Sequence, residues 1–255
     1  MNKGLKKKLS SGALTIGGWV MIGHPAVGEI MARSGYDWVA VDLEHTATDL
    51  STAENIIRAI DGAGAQALVR LTNNDPNLIK RVMDSGASGL IVPMVETADD
   101  ARAAVSAMYY PPTGKRGVGL ARAQGYGVSF EDYKNWLETE AVCIVQFEHI
   151  NAVKNAREIL SVEGVDGYML GPYDLSASLG KPGDFENPKF KAAIKEMHAI
   201  GREMKKPGGL HIVEPDPVKL REAVDQGLTF IAYSIDTRII DATIRSALKE
   251  IKGEK

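Results

Sequence analysis

Two apolar runs that each end in a carboxylate constrain this chain more than any other feature. VCIVQFEH, residues 142–149, carries Glu148 at its end, and GVDGYMLGPYDLS, residues 164–176, carries Asp174. Between them NAVKNAREILSVEG has the length and pattern of a helix. Parallel strands need a crossover of about a dozen residues or more, so the stretch reads as a βαβ unit. Strands joined this way lie side by side and end at one edge of the sheet, where α/β proteins place their chemistry. Two carboxylates converging there suit a hard divalent cation, which takes oxygen ligands and keeps positions open for water or substrate. The alternative is that each acid caps the helix that follows it.

The same alternation runs through the chain. Further apolar runs at 13–22, 36–45, 66–71, 89–96, 208–213 and 229–235 alternate with helical segments. Several helix starts are marked by a capping residue and a proline, as at Asp75-Pro76 and Asp216-Pro217. About eight strands alternating with helices point to an α/β fold, a (β/α)8 TIM barrel forming one domain over residues 1–255. A doubly wound open sheet is the structural alternative, but no GxGxxG follows the first strand and no GxxxxGK[ST] occurs. The length suits one barrel, and a net charge of -3 gives no sign of a nucleic-acid partner. Cys143 is the single cysteine and lies in an apolar run, which fits a buried thiol in a reducing cytoplasm. No run is long enough to span a membrane, and the basic first residues lack a signal-peptide core. Residues 3–9 are expected to form a short solvated helix against the barrel's bottom.

The strand ends supply His45, Arg70, Glu96, Gln146, Glu148, Asp174, His211 and Asp236. No lysine is among them, so a Schiff base has no amine, and carbonyl or enolate chemistry here needs a metal as electron sink. Gln146 and Glu148 are two apart and share a face. Arg70 offers a planar fork for a carboxylate or a developing oxyanion, or else pairs a barrel acid. His45 is a candidate general base, or an ordinary hydrogen-bonded histidine. Asp84, in the helix after Arg70, would hold an imidazole tautomer, or is a solvated helix charge. The Gly- and Pro-rich segment 110–130 is too long for a plain connection. It is expected to fold over the rim or reach a neighbouring subunit, with Arg116 and Arg122 as anion contacts unless they are merely solvated.

VDLEH at 41–45, ALVR at 67–70, VPMVETADDA at 92–101, YPPTGKRGVG at 110–119 and GVDGYMLGPYDLSASLG at 164–180 together resemble the HpcH/HpaI aldolase family over nearly the whole chain. The resemblance implies a class II pyruvate aldolase of the phosphoenolpyruvate-binding barrel superfamily. Such an enzyme reversibly cleaves a 4-hydroxy-2-oxo acid to pyruvate and an aldehyde, as in the breakdown of aromatic compounds. It implies a divalent metal ion, Mg²⁺, Mn²⁺ or Co²⁺, on Glu148 and Asp174. His45 would be the catalytic histidine, Asp84 the acid behind it, and Arg70 the transition-state arginine. Gln146, Gly171, Pro172, Tyr173 and Asp174 would contact substrate. A cytoplasmic homo-oligomer is implied, a hexamer built as a trimer of dimers with exchanged C-terminal helices. This chain departs from the family's pattern at Tyr173, where a small residue is usual, and at Phe147-Glu148-His149, where the usual text after Gln is IET. His149 would reach the metal or substrate, or cap the next helix. A lyase acting on a CoA thioester of citramalyl or malyl type is the enzymatic rival; free acids against thioesters separate the two. A non-catalytic barrel binding protein is the other.

Overall fold

The structure, a computed structural model, describes Asn2 and residues 4–253. Helix α1 (Leu5–Ser10) precedes β1 (Thr15–Val20), α2 (Pro25–Arg33), β2 (Trp38–Asp42), α3 (Leu50–Gly62) and β3 (Gln66–Arg70). Then come α4 (Pro76–Asp84), β4 (Gly89–Val92), α5 (Ala98–Met108), a 3-10 segment (Arg122–Gly127) and α6 (Phe130–Glu140). The βαβ unit that opens the sequence reading is β5 (Val142–Phe147), α7 (Ile150–Lys154), α8 (Ala156–Leu160) and β6 (Gly167–Leu170). The chain finishes with α9 (Pro172–Ser178), α10 (Pro188–Glu203), β7 (Gly208–Ile212), α11 (Pro217–Asp225), β8 (Phe230–Ile235) and α12 (Asp236–Lys252). The strands pair in parallel, in chain order, and β8 closes on β1, so the described residues form one closed eight-stranded barrel.

Period-two alternation sorts the strand residues into two layers. In β2, Val39 and Val41 face the helices, while Trp38 and Ala40 fill the barrel with Leu68, Ile91, Ile144 and Met169. The lower barrel is occupied by Trp38, stacked on Phe230 at 4.3 Å. Gly17 makes room for it: a Cβ there would lie 2.1 Å from the Trp38 ring. The same parity carries Asp42, Arg70, Gln146 and Glu148 inward at the other end, which is the mouth.

Three expectations about organisation change. The first helix runs from Leu5 to Ser10, with Lys3 outside the described residues; it plugs the bottom, since Leu5 and Leu9 are buried with the interior set. The crossover between β5 and β6 is two short helices, broken at Asn155, whose amide is spent on the Glu96 carbonyl at 2.8 Å. The segment 110–130 does not cover the rim. It follows α5, which returns the chain to the strands' N-terminal end, and it packs there on α4 and α6. Arg116 is buried and pairs with Asp84, while Arg122 pairs with Asp61 at 2.9 Å and donates to the Ser85 carbonyl, so neither is a free anion contact.

Candidate active site at the barrel mouth

Asp42 ends β2 with its side chain fully buried and grips Arg70, its neighbour across the β2–β3 pair, through two hydrogen bonds. Nε donates to Oδ1 at 2.9 Å and Nη2 to Oδ2 at 2.6 Å. Arg70 also overlies the Trp19 ring at 5.1 Å. Its Nη1 stands 3.2 Å from Glu44 Oε2, close enough for an ion pair but not aligned as a hydrogen bond. Arg70 therefore pairs a barrel acid, one of the two sequence alternatives, and leaves Nη1 at the mouth.

Glu148 follows β5 and is buried. Gln146 Nε2 donates to its Oε1 at 2.5 Å, and Met94 N–H to its Oε2 at 3.0 Å. Met94 reaches this position with φ of 52°, a left-handed conformation that non-glycine residues adopt at some cost. Among the described residues no cation lies within ion-pair distance of Glu148. Burial raises its carboxyl to about 7; the nearby Glu44 and Asp174 charges push the same way, against Arg70 and the Met94 hydrogen bond. Glu44 is raised as well, by burial first and then by Asp42 and Asp174, against the pull of Arg70. Asp174 lies in the first turn of α9, exposed, at the same end as Glu148. Gly171 leads into that turn and lies against Glu148: a Cβ on it would meet Glu148 Cγ at 2.5 Å. Its N–H is spent on the Phe147 carbonyl at 3.0 Å, and Pro172 has none. The free first-turn donors are therefore the N–H groups of Tyr173 and Asp174.

These residues fit a hard cation. Asp42, Glu44, Glu148 and Asp174 share the mouth with one guanidinium, and the buried Gln146 Oε1 has no hydrogen-bond partner. Among the described residues no three His, Cys, Asp or Glu side chains group as a metal site. Two protein carboxylates with the other positions left to water and substrate is the arrangement Mg²⁺ commonly keeps.

The remaining expected residues separate. His45 stands at the mouth with its side chain 62% exposed, and its nearest acid is Glu44, at 3.8 Å. Asp84 is at the opposite end of the barrel, as the last residue of α4, where it accepts hydrogen bonds from Arg116 at 2.5 Å and Gln124 at 3.3 Å. A His45–Asp84 pair is thus not made within one chain, because a helix returning from the mouth ends far from it. His149 caps α7 by accepting from Asn151 N–H at 3.2 Å and lies 3.2 Å from Glu96. Asp236 binds the N–H groups of Met21 and Ile22, stitching β8 to the end of β1. His211 stacks on Trp19 at 4.7 Å, and burial holds its imidazole down to about 4, so it is neutral. Sequence reading passed over Asp42, Glu44 and Met94 as site residues. The parity of Trp38, Ala40 and Asp42 signalled the first; Glu44 and Met94 lie beyond the strands, where parity lapses.

The chain matches the family described as HpcH/HpaI aldolase/citrate lyase over residues 15–242. It is 40% identical over 236 residues to a hydroxypyruvate/pyruvate aldolase of Sagittula stellata, covering 92% of each protein. It is 38% identical over 242 residues to a 4-hydroxy-2-oxo-heptane-1,7-dioate aldolase of Shigella sonnei, covering 94% of this chain and 91% of that one. Its fold superposes on an HpcH/HpaI aldolase/citrate lyase family protein from Burkholderia cenocepacia with a TM-score of 0.91 at 32% identity, covering 97% of this chain and 98% of that one. A closed parallel barrel with a carboxylate-rich mouth, matched along nearly its full length in both sequence and shape, belongs to the HpcH/HpaI aldolase/citrate lyase family.

Proposed function

We propose that this chain is a divalent-metal-dependent aldolase, a carbon–carbon lyase that reversibly cleaves a 4-hydroxy-2-oxo acid to pyruvate and an aldehyde. The observation that carries this reading is the charge of the mouth: Asp42, Glu44, Glu148 and Asp174 face a single guanidinium. Aldolase relatives at 36–40% identity support the reaction class.

Glu148 and Asp174 would hold Mg²⁺, Mn²⁺ or Co²⁺, which when bound supplies a Lewis acid for the 2-oxo group. Gln146 fixes one oxygen of Glu148 and leaves its own Oε1 as an acceptor in the mouth. The Tyr173 and Asp174 N–H groups face the substrate carboxylate, with Gly171 and Pro172 shaping the turn. His45 takes the proton of the 4-hydroxyl. The C3–C4 bond then breaks, its electron pair passing to the pyruvate half as an enolate and the C4 half leaving as the aldehyde. Arg70 Nη1 stabilises the enolate oxygen, held in place by the grip of Asp42 on the rest of the guanidinium. A proton delivered to C3 gives pyruvate.

A homo-oligomer, a hexamer by the family resemblance, accompanies this reading. Ile240, Ile244, Leu248 and Ile251 expose an apolar stripe on α12, and Val118, Leu120, Tyr126 and Val128 expose another patch at the barrel's bottom. Only such an assembly would bring Asp84 of one protomer towards His45 of another. No helix among the described residues is long and apolar enough to cross a membrane.

The test is pyruvate release from a panel of 4-hydroxy-2-oxo acids after EDTA treatment, with and without each metal. Turnover should vanish in EDTA and return with the cation. Full turnover in EDTA removes the metal from the reaction, and turnover confined to CoA thioesters moves the chain to the thioester lyases.

A further inference from the structure

Beside the mouth a cavity of about 450 Å³ opens between β6, α10, β7 and α11. Leu170, Pro172 and Tyr173 line its inner end, on either side of the Gly171 backbone that packs on Glu148. His211, stacked on the Trp19 ring that Arg70 covers, lines the cavity too. Leu170, Leu210 and Ile212 turn to the helix side of the barrel wall, so the cavity adjoins the reacting centre at the Pro172–Tyr173 turn. From there an aromatic run leads outward: Tyr173 packs edge-on against Phe185 at 5.1 Å, and Phe185 against Phe190 at 5.4 Å. Ile194 and Ile212 complete the apolar wall. Tyr173 is 62% exposed and its ring packs on Phe185, an expensive position for an aromatic residue with nothing further to cover it.

Charge on the cavity lining narrows the ligand. Glu214 and Glu222 stand there with Lys219, and Glu214 is already paired to Arg238 at 2.8 Å. Among the described residues no arginine lines the cavity, so a carboxylate tail finds no bidentate partner and meets two acids against one lysine. An apolar tail gains the burial that the aromatic run offers.

Resting on the aldolase reading above, we propose that this cavity takes the tail carried on C4 of the substrate, and that Tyr173 with Phe185 selects an aromatic or branched apolar aldehyde over one bearing a carboxylate. Tyr173 is the specificity-determining residue at the entrance; Ile194 sets the depth.

The experiment compares kcat/KM for pyruvate addition to phenylacetaldehyde, glycolaldehyde and succinate semialdehyde, using Mn²⁺-loaded enzyme. Phenylacetaldehyde should exceed succinate semialdehyde by about tenfold or more, the scale a shaped apolar pocket supplies. Tyr173→Ala, which removes the wall, and Ile194→Trp, which fills the depth, should each lower the phenylacetaldehyde-to-glycolaldehyde ratio about tenfold, mainly through KM. Tyr173→Phe should keep that ratio. Circular dichroism identifies which variants fold, and either one suffices, since they act at different ends of the cavity. A wild-type preference for succinate semialdehyde, or a ratio unchanged in a folded variant, overturns the pocket assignment and leaves the aldolase reading standing. Condensation with none of the three aldehydes overturns the aldolase reading itself, and the pocket assignment with it.

Discussion

Arg70 and Asp42 form a buried pair in which each side chain depends on the other. Replacing Arg70 by Ala should lower turnover by about 10²–10³-fold, as for loss of an oxyanion donor. It should also destabilise the fold by about 3–5 kcal/mol, because the fully buried Asp42 then keeps an unpaired charge. Adding Asp42→Asn to Arg70→Ala should recover much of the stability and none of the activity, which denaturant melts and steady-state kinetics would separate. Glu148 behaves differently, since its carboxyl is raised to about 7 rather than held down. A raised acid binds more protons folded than unfolded, so its stabilisation is present at low pH and is lost as pH rises through about 7. His211, pushed down to about 4, acts in the opposite sense up through the ordinary histidine range, so it offsets part of the Glu148 slope near pH 6.5 and little of it above. Metal-free protein should therefore melt lower at pH 8 than at pH 6.5, at roughly 2–4 °C per kcal/mol lost. Glu148→Gln should flatten that slope, and added Mn²⁺ should raise the melting temperature more at pH 8 than at pH 6.5. Equal slopes in the two proteins would show that Glu148 is not the group responsible.

At the level of single elements, β1 and β2 fit together through an absence. Gly17 has no side chain where Trp38 lies, so Gly17→Ala should cost about 1–3 kcal/mol by overpacking. Trp38→Ala should cost about 3–5 kcal/mol through the void it leaves against Phe230. Because the two touch, the double variant should cost less than the sum, a coupling that thermal melts of all three would reveal. The strands were legible in the sequence because alternating burial writes itself as alternating residue type, and Arg70, Gln146 and Glu148 came with them. The helix interruption at Asn155 was not legible, since its cause is a carbonyl on another crossover, Glu96. Asp84 was legible as a helix residue but not as one at the far end of the barrel from His45. Its neighbours Arg116 and Gln124 come from a segment whose glycines hide a buried polar cluster. Glu44 and Met94 escaped for a related reason: loop residues reach the mouth by backbone conformation, which residue type does not announce.

For the molecule as a whole, the stripe of Ile240, Ile244, Leu248 and Ile251 leaves four large apolar side chains uncovered on one helix, with Ile251 85% exposed. Ile244→Asp together with Leu248→Glu should lower the particle mass measured by light scattering to that of a smaller assembly; an unchanged mass would mean that this face is not the contact. Such a change should also lower activity if neighbouring protomers supply groups to one another's mouths.

The seam at Asp236 has a consequence for how the barrel is made. Strand β1 is synthesised early, yet one of its two edges pairs only with β8, and its Met21 and Ile22 amides are claimed only by Asp236. A nascent chain carries every mouth residue from Asp42 to Asp174 well before the sheet can become a ring. Until residue 236 emerges, the growing sheet keeps two open strand edges, each a template for the wrong pairing. The interval between translating β7 and β8 is thus the period in which this protein is most open to association with its own unfinished copies.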